Sequence, residues 1–281
     1  MSIGLNNRRY GRKRRRRPSD GEIHRGTYIL PNLFTTANMF CGFFGIISSI
    51  NGNFQAAAIA VLASCLFDIL DGKVARLVGA TSRFGVEYDS LADLVAFGVG
   101  PAILMYLWAL KPFGRLGWLA AFLFMACGAL RLARFNVQVD SVSKKFFVGL
   151  PIPGAACMVA TSVLFASQWK IAYIPEHSVL LLITTYVLGF LMVSNIPYNS
   201  LKDLEMLRGK LLPTLFVLLV LLTVVATKPQ IMLFSLGLTY TVSGPLALLI
   251  KRYRERRGAT EVKPSAPVGS EPEPMTPSRD E

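Results

Sequence analysis

Long apolar runs recur along this chain, and they constrain its fold more than any other feature. They cover approximately residues 30–50, 54–79, 86–110, 116–135, 152–168, 177–197, 211–227 and 230–250. A helix needs about 20 residues to cross a hydrocarbon core that is about 30 Å thick. Only 17% of the residues are charged, whereas a soluble domain has about 25%. The sequence therefore predicts an all-α integral membrane protein, a bundle of about eight transmembrane helices.

The basic residues are divided unequally between the two ends of these predicted helices. With eight helices, both termini lie on one side of the membrane, and that side carries all but four of the 30 Lys and Arg residues. Because cytoplasmic loops of membrane proteins are enriched in Lys and Arg, both termini are predicted to be cytoplasmic. Residues 1–27 are polar and strongly basic, and residues 251–281 become rich in Pro, Ser and Glu. Both segments are predicted to be disordered cytoplasmic tails.

The net charge of +13 raises the question of an acidic partner. The basic residues flank apolar runs, and no nucleic-acid-binding signature accompanies them, so we expect no nucleic acid partner. Anionic membrane lipids are the expected partner, since each Lys or Arg near their head groups contributes about 1 kcal/mol. The alternative is that these charges only fix the orientation of the helices.

Four aspartates lie around the junction of the second and third apolar runs. A charged side chain near the centre of a bilayer costs roughly 3 kcal/mol or more, which makes this placement unusual. Asp68 and Asp71 are three residues apart, and Asp89 and Asp93 are four apart. Each pair therefore shares one face of a helix. Two antiparallel helices with a short cytoplasmic connection would point all four carboxylates into one space.

Four carboxylates in one space repel one another and would be protonated on burial unless cations lie between them. Ligands that are all oxygen atoms favour a hard ion such as Mg²⁺ or Mn²⁺. Two such ions about 4 Å apart would suit phosphoryl transfer, because they contact the attacking and the leaving oxygen. The alternative is that the acids form ion pairs with Lys73, Arg76 and Arg83.

The residues around these acids resemble the signature of the CDP-alcohol phosphotransferase family. The segments "DILDGKVAR" at 68–76 and "GVEYDSLAD" at 85–93 match the pattern DxxDGxxAR, eight residues and GxxxDxxxD at all eight fixed positions. The resemblance implies a membrane-embedded catalytic domain, here residues 28–250, and a CDP-linked lipid as donor. It also implies transfer of the donor's phosphatidyl group to an alcohol, with release of CMP.

The resemblance assigns roles to individual residues. Asp68, Asp71 and Asp89 would bind metal, and Asp93 would complete the site of a second ion and act as general base. The small residues would leave room for the nucleotide of CDP-diacylglycerol. The residues expected to bind this donor are Asn32, Thr35, Gly72, Ala75, Arg76 and Gly85.

Three further segments resemble the phosphatidylserine synthase branch of that family. They are "PNLFTTANMFCG" at 31–42, "ALRLARFNVQ" at 129–138 and "SKKFFVGLPIPGAA" at 143–156. This resemblance implies L-serine as the acceptor, with direct attack of its hydroxyl on the donor and no covalent enzyme intermediate. The residues expected to bind serine are Arg131, Arg134, Asn136 and Lys145.

Other functions remain as alternatives. A sister transferase would use glycerol phosphate, inositol phosphate or choline as acceptor, and the basic residues near the acids would suit a phosphorylated one. A transporter with an acidic cation site is a remote alternative, because it would place acids near mid-membrane on broken helices. We expect a multi-pass protein of the plasma (inner) membrane with its active site at the cytoplasmic face. A homodimer is an open alternative to a monomer.

Overall fold

The computed structural model describes residues 29–78, 82–138, 147–168, 178–198, 219 and 228–261. Within these residues the fold consists almost wholly of helices. They are α1 (Ile29–Ile50), α2 (Phe54–Val78), α3 (Arg83–Asp93), α4 (Gly100–Met105), α5 (Arg115–Gln138), α6 (Ile152–Gln168), α7 (Val179–Val193) and α8 (Pro229–Glu261).

Five helical segments in the described part of the chain are long and apolar enough to cross a membrane. They are Leu30–Ile50, Phe54–Leu77, Arg83–Phe113, Arg115–Val137 and Pro229–Ile250, and α6 and α7 are shorter apolar helices. The prediction of an all-α, multi-pass membrane protein is confirmed. The predicted helix at 211–227 lies outside the described residues except for Leu219, so the count of eight and the orientation of the termini stay predictions.

α1 and α2 form a hairpin, and their contact is the most extensive between any two of the described helices. Gly52 adopts a φ of +75° in the turn, a backbone conformation that glycine reaches without steric cost. The next residue, Asn53, caps α2, because its side-chain oxygen accepts a hydrogen bond from the Ala56 N–H at 3.1 Å. Gly42 of α1 lies against the third span, since a β-carbon at Gly42 would be 2.5 Å from the Ala96 Cα. Small residues at such contacts let helix backbones approach closely in a membrane.

The third span, Arg83–Phe113, changes its helical geometry along its length. After α3 it forms a π-helical turn at Leu94–Val99, and after α4 a second one at Tyr106–Leu110, followed by a 3₁₀ turn at Lys111–Phe113. Pro101 lies at the start of α4, where it has no N–H to donate and its ring would collide with the carbonyl four residues earlier in a regular α-helix. The wider turn before it relieves that collision, and it begins directly after Asp93, the last residue of α3.

A short antiparallel strand pair was not expected from the sequence. β1 (Phe147–Val148) pairs with β2 (Pro197–Tyr198), with Phe147 opposite Tyr198. Burial raises the pKa of Tyr198 to about 12, so its hydroxyl stays protonated at neutral pH. It donates a hydrogen bond to the Thr241 carbonyl of α8 at 3.0 Å. The strand pair thus ties the segments that flank α6 and α7 to the last helix.

The C-terminal helix extends beyond the boundary predicted for it. α8 continues to Glu261, whereas a disordered tail was predicted from residue 251. The segment "KRYRERR" at 251–257 is polar but rich in Arg and Lys, which are good helix formers, so it continues a helix that has already started. Residues 1–27, the predicted N-terminal tail, lie outside the described residues.

Candidate active site

Three of the four aspartates form a compact cluster between α2 and α3. One carboxylate oxygen from each of Asp68, Asp71 and Asp89 lies within 4.8 Å of the other two. Asp71 is almost fully buried, with 5% of its surface exposed, and the other two are half-buried. The cluster forms because α1 packs against both α2 and α3, so that the acids of these two helices face one shared space.

Asp93 lies one helical turn beyond Asp89 and is also buried, with 8% of its surface exposed. It is within electrostatic range of Asp68, Asp89 and Asp71 but outside the compact group of three. Asn38 of α1 donates a hydrogen bond from its side-chain nitrogen to Asp93 Oδ1 at 3.0 Å. The structure therefore brings the four predicted acids together, with Asp93 set apart from the three that could share one ion.

The cluster fits a hard cation. Asp89 Oδ1 is buried and has no hydrogen-bond partner within the described chain, an arrangement that is costly unless a ligand satisfies it. The alternative of ion pairs with Lys73, Arg76 and Arg83 is not seen among the described residues. Carboxylate oxygens alone, without imidazole or thiolate ligands, favour Mg²⁺ or Mn²⁺ over softer metals.

Helix α1 supports the cluster from its other side. The Thr35 hydroxyl lies 3.2 Å from both Asp71 Oδ2 and the Pro31 carbonyl, so it donates to the carboxylate from a buried position. One residue later, the Thr36 hydroxyl lies 2.9 Å from the Tyr88 hydroxyl of α3. These contacts fix α1 relative to the two helices that carry the acids.

An open pocket of about 100 Å³ adjoins the cluster. A β-carbon added at Gly72 would meet only the end of the Arg76 side chain, at 3.9 Å, whereas one at Gly85 would lie 3.1 Å from Ser82 Oγ. Gly72 therefore leaves the pocket open at the position next to Asp71. The pocket is lined by Pro31, Asn32, Thr35, Asp71, Gly72, Ala75, Ser82, Gly85, Val86 and Asp89.

The structure thus gathers five of the six residues predicted to bind the donor into the lining of one pocket. The sixth, Arg76, lies beside it with an exposed side chain, whose Nε donates to the Gly72 carbonyl at 2.7 Å. Pro31, Ser82 and Val86 line the pocket as well and were missed. Ser82 caps α3, because its hydroxyl oxygen accepts from the Gly85 N–H at 2.9 Å, and a Ser three residues before the glycine was the available signal.

The residues predicted to bind serine have different surroundings in the structure. Arg131 is half-buried on α5 within electrostatic range of Tyr240 and Asp93, and its Nε is buried without a partner among the described residues. Arg134 is exposed and donates to Asn195 Oδ1 at 3.0 Å. Of the three that the structure describes, Arg131 is the one with an unsatisfied donor near the acids.

Asn136 and Lys145 are the other two residues predicted to bind serine. The Asn136 side chain exchanges hydrogen bonds with Ser90 of α3, donating at 3.0 Å and accepting at 3.2 Å. The hydrogen-bonding groups of this side chain are therefore already engaged by α3. Lys145 lies outside the described residues.

Two residues near Asp93 were missed as site residues. Asn38 continues the spacing of Asn32 and Thr35 along one face of α1, so the recurrence of polar residues every three positions was a usable signal. Tyr240 of α8 comes close to Arg131 only through the packing of the last helix. Nothing local in the sequence around Tyr240 indicates that contact.

Comparisons with known proteins agree with this geometry. A family model described as CDP-alcohol phosphatidyltransferase matches residues 28–193. The CDP-diacylglycerol–serine O-phosphatidyltransferase of Helicobacter pylori is 38% identical over 225 residues, covering 80% of this chain and 94% of the relative. The enzyme of the same name from Bacillus subtilis is 36% identical, covering 62% of this chain and 91% of the relative. An archaetidylserine synthase from Methanothermobacter thermautotrophicus is 40% identical, covering 60% of this chain and 69% of the relative.

Proposed function

Because this chain belongs to the CDP-alcohol phosphatidyltransferase family, we propose that it is the enzyme that makes phosphatidylserine. It transfers the phosphatidyl group of CDP-diacylglycerol to the hydroxyl of L-serine and releases CMP. The observation that carries this proposal is the cluster of Asp68, Asp71 and Asp89 beside a pocket left open by Gly72. The serine synthases of two bacteria and an archaetidylserine synthase, all similar to this chain, support serine as the acceptor.

The acids are suited to divalent cations, Mg²⁺ or Mn²⁺, and we propose two ions. Asp68, Asp71 and Asp89 would hold them, and Asp93 would complete the second site. When bound, the ions supply positive charge that balances the donor's diphosphate and the charge that develops during transfer. Thr35 keeps the Asp71 carboxylate directed into the cluster.

Asp93 is the general base in this proposal. Its carboxylate takes the proton of the serine hydroxyl as that oxygen forms a bond to the phosphorus on the lipid side of the diphosphate. The bond between this phosphorus and the bridging oxygen breaks, and CMP leaves with its electron pair. Because the pKa of an alcohol is far above 7, proton removal by a positioned base contributes substantially to the rate.

The substrates and the membrane define the orientation of the site. The acids lie in the C-terminal half of α2 and the N-terminal part of the third span, and we propose that this end of the bundle is at the cytoplasmic face of the plasma membrane. A soluble nucleotide product and a soluble amino acid can then exchange with the cytoplasm, while the acyl chains of the donor remain in the bilayer. The basic N-terminal tail would lie at the same face, near anionic lipids.

The function is tested by an acceptor panel. The full-length protein in detergent is incubated with CDP-diacylglycerol and Mg²⁺ or Mn²⁺, together with serine, glycerol phosphate, inositol phosphate or choline in turn. CMP release and the lipid product are measured. Phosphatidylserine formation that stops on chelation is expected. Metal-dependent CMP release with another acceptor but not with serine would identify a sister transferase. If no acceptor supports metal-dependent CMP release, the transferase assignment is overturned.

Gly72→Leu is expected to raise the KM for CDP-diacylglycerol. The leucine side chain would fill space next to Asp71, and a steric conflict of about 1–3 kcal/mol corresponds to roughly a 5- to 150-fold increase. Lys73→Leu is a matched control, because it places the same leucine side chain at the adjacent exposed position. Steady-state kinetics with varied donor measures both. An unchanged KM in Gly72→Leu would mean that this glycine serves helix packing alone.

Arg131→Ala is expected to raise the KM for serine. A charge-assisted hydrogen bond to the serine carboxylate contributes about 1.5–3 kcal/mol, or roughly 10- to 150-fold. Arg131→Lys would restore only part of the affinity, because Lys lacks the planar fork that matches a carboxylate.

Arg134→Ala is the control for Arg131, since Arg134 is exposed and already bonded to Asn195, and a much smaller change is expected. Kinetics that vary each substrate separately distinguish the roles. If Arg131→Ala weakens only the use of CDP-diacylglycerol, this arginine binds the donor's phosphates and the serine assignment is wrong.

A further inference from the structure

Asn38 is a fully buried amide on α1 that makes its hydrogen bond to the proposed general base. Its exposed fraction is 0%, and its Nδ2 donates to Asp93 Oδ1 at 3.0 Å. The bond joins α1 to the end of α3 across 55 positions of the chain. A hydrogen bond to an ionised group is stronger than one between neutral groups.

The backbone of Asn38 is held by contacts on both sides. The Ser64 hydroxyl of α2 donates to the Asn38 carbonyl at 3.2 Å. One turn further along α1, Gly42 packs against Ala96, just beyond Asp93 on the third span. Because α1 is fixed against the same span that carries Asp93, the amide and the carboxylate are kept in register.

The side-chain oxygen of Asn38 shows that this residue lowers the stability of the fold. Asn38 Oδ1 is buried and has no hydrogen-bond partner within the described chain. An unsatisfied buried acceptor costs about 1–3 kcal/mol, which an apolar residue would avoid. Turning the amide over would bring its oxygen against a carboxylate oxygen, so the nitrogen faces Asp93.

We propose that Asn38 is a positioning residue for Asp93. By holding Oδ1 of Asp93, Asn38 prevents rotation of the carboxylate and presents its Oδ2 to the serine hydroxyl. Oδ2 receives the hydroxyl proton while the serine oxygen bonds to phosphorus and CMP departs. Asn38 itself exchanges no proton and contacts no reacting atom. This inference rests on the proposed function, in which Asp93 is the base.

Asn38→Leu tests the proposal, because leucine keeps the branched outline of asparagine and removes the donor. We expect kcat to fall by about 10- to 150-fold, the range for loss of a hydrogen bond to a charged group. The KM for CDP-diacylglycerol should stay within about twofold, since the donor pocket does not include this residue. Asn38→Ala, which removes the donor without adding bulk, should show the same division between kcat and KM.

Ser49→Ala is the matched control. Ser49 is buried on the same helix, 1% exposed, and its hydroxyl bonds only within α1, to the Gly45 carbonyl. We expect its kcat to equal that of the wild type. The concentration of folded sites is measured for each variant from its monodisperse peak in size-exclusion chromatography, so that kcat is expressed per folded site and lost expression is not counted as lost catalysis. Metal-dependent binding of CDP-diacylglycerol is measured separately.

The outcomes separate this inference from the function on which it rests. If the wild type releases no CMP with serine, the proposed function fails. If the wild type is active and both Asn38 variants keep a normal kcat per folded site, or lose donor binding and kcat together, the positioning role is refuted while the transferase assignment stands.

Discussion

Asp71→Asn is expected to reduce phosphatidyl transfer by about 10²- to 10³-fold, the scale seen when a group that stabilises transition-state charge is removed. The substitution keeps the shape of the side chain and replaces a buried carboxylate with a neutral amide. Asp71 is both a member of the acidic cluster and an acceptor for Thr35. We therefore expect metal-dependent binding of CDP-diacylglycerol to be lost with activity, as measured by titration in detergent.

Glu87→Gln controls for the loss of a negative charge as such. Glu87 is exposed on α3 and lies outside the cluster of three, so the variant should bind the donor and turn it over like the wild type. Both variants should elute from size-exclusion chromatography as the wild type does. Near-normal transfer by folded Asp71→Asn protein would end the interpretation of this cluster as a metal site.

Asp93→Asn is expected to separate binding from chemistry. Removal of a general base lowers kcat by about 10²- to 10⁴-fold. Because Asp93 lies outside the compact group of Asp68, Asp71 and Asp89, we expect the variant to retain much of its affinity for CDP-diacylglycerol in the presence of metal. Rapid-quench measurement of CMP formation, together with donor titration, compares the two quantities directly.

The contrast between the two aspartate variants is the informative result. Donor binding lost in Asp71→Asn and kept in Asp93→Asn would assign metal and donor binding to the first residue and proton transfer to the second. If donor binding is lost equally in both, Asp93 acts mainly as a metal ligand. The base would then have to be another group.

Much of the architecture could be predicted because the relevant signals are local. An apolar run of sufficient length predicts a membrane helix wherever it occurs, and the run at 152–168 coincides with α6. The acidic cluster was predictable for the same reason. The spacings of Asp68 and Asp71 and of Asp89 and Asp93 fix which side chains share a helix face.

The parts that could not be predicted depend on packing between distant segments. The pairing of β1 with β2 and the approach of Tyr240 to Arg131 join residues that are 49 or more positions apart, and neither leaves a periodic pattern. Arg131 and Arg134 are equivalent by composition and spacing. Only the packing of α5 distinguishes Arg131, which is half-buried, from Arg134, which is exposed.

The position of the donor pocket along the chain has an evolutionary consequence. Every described residue that lines it falls between Pro31 and Asp89, whereas Arg131 and Tyr240 come from much later helices. Under the proposed function, recognition of the activated lipid would therefore be encoded by one early stretch of sequence. Later helices can diverge under selection for a different alcohol while that stretch is conserved, so a single ancestral donor site is able to give rise to several lipid head groups.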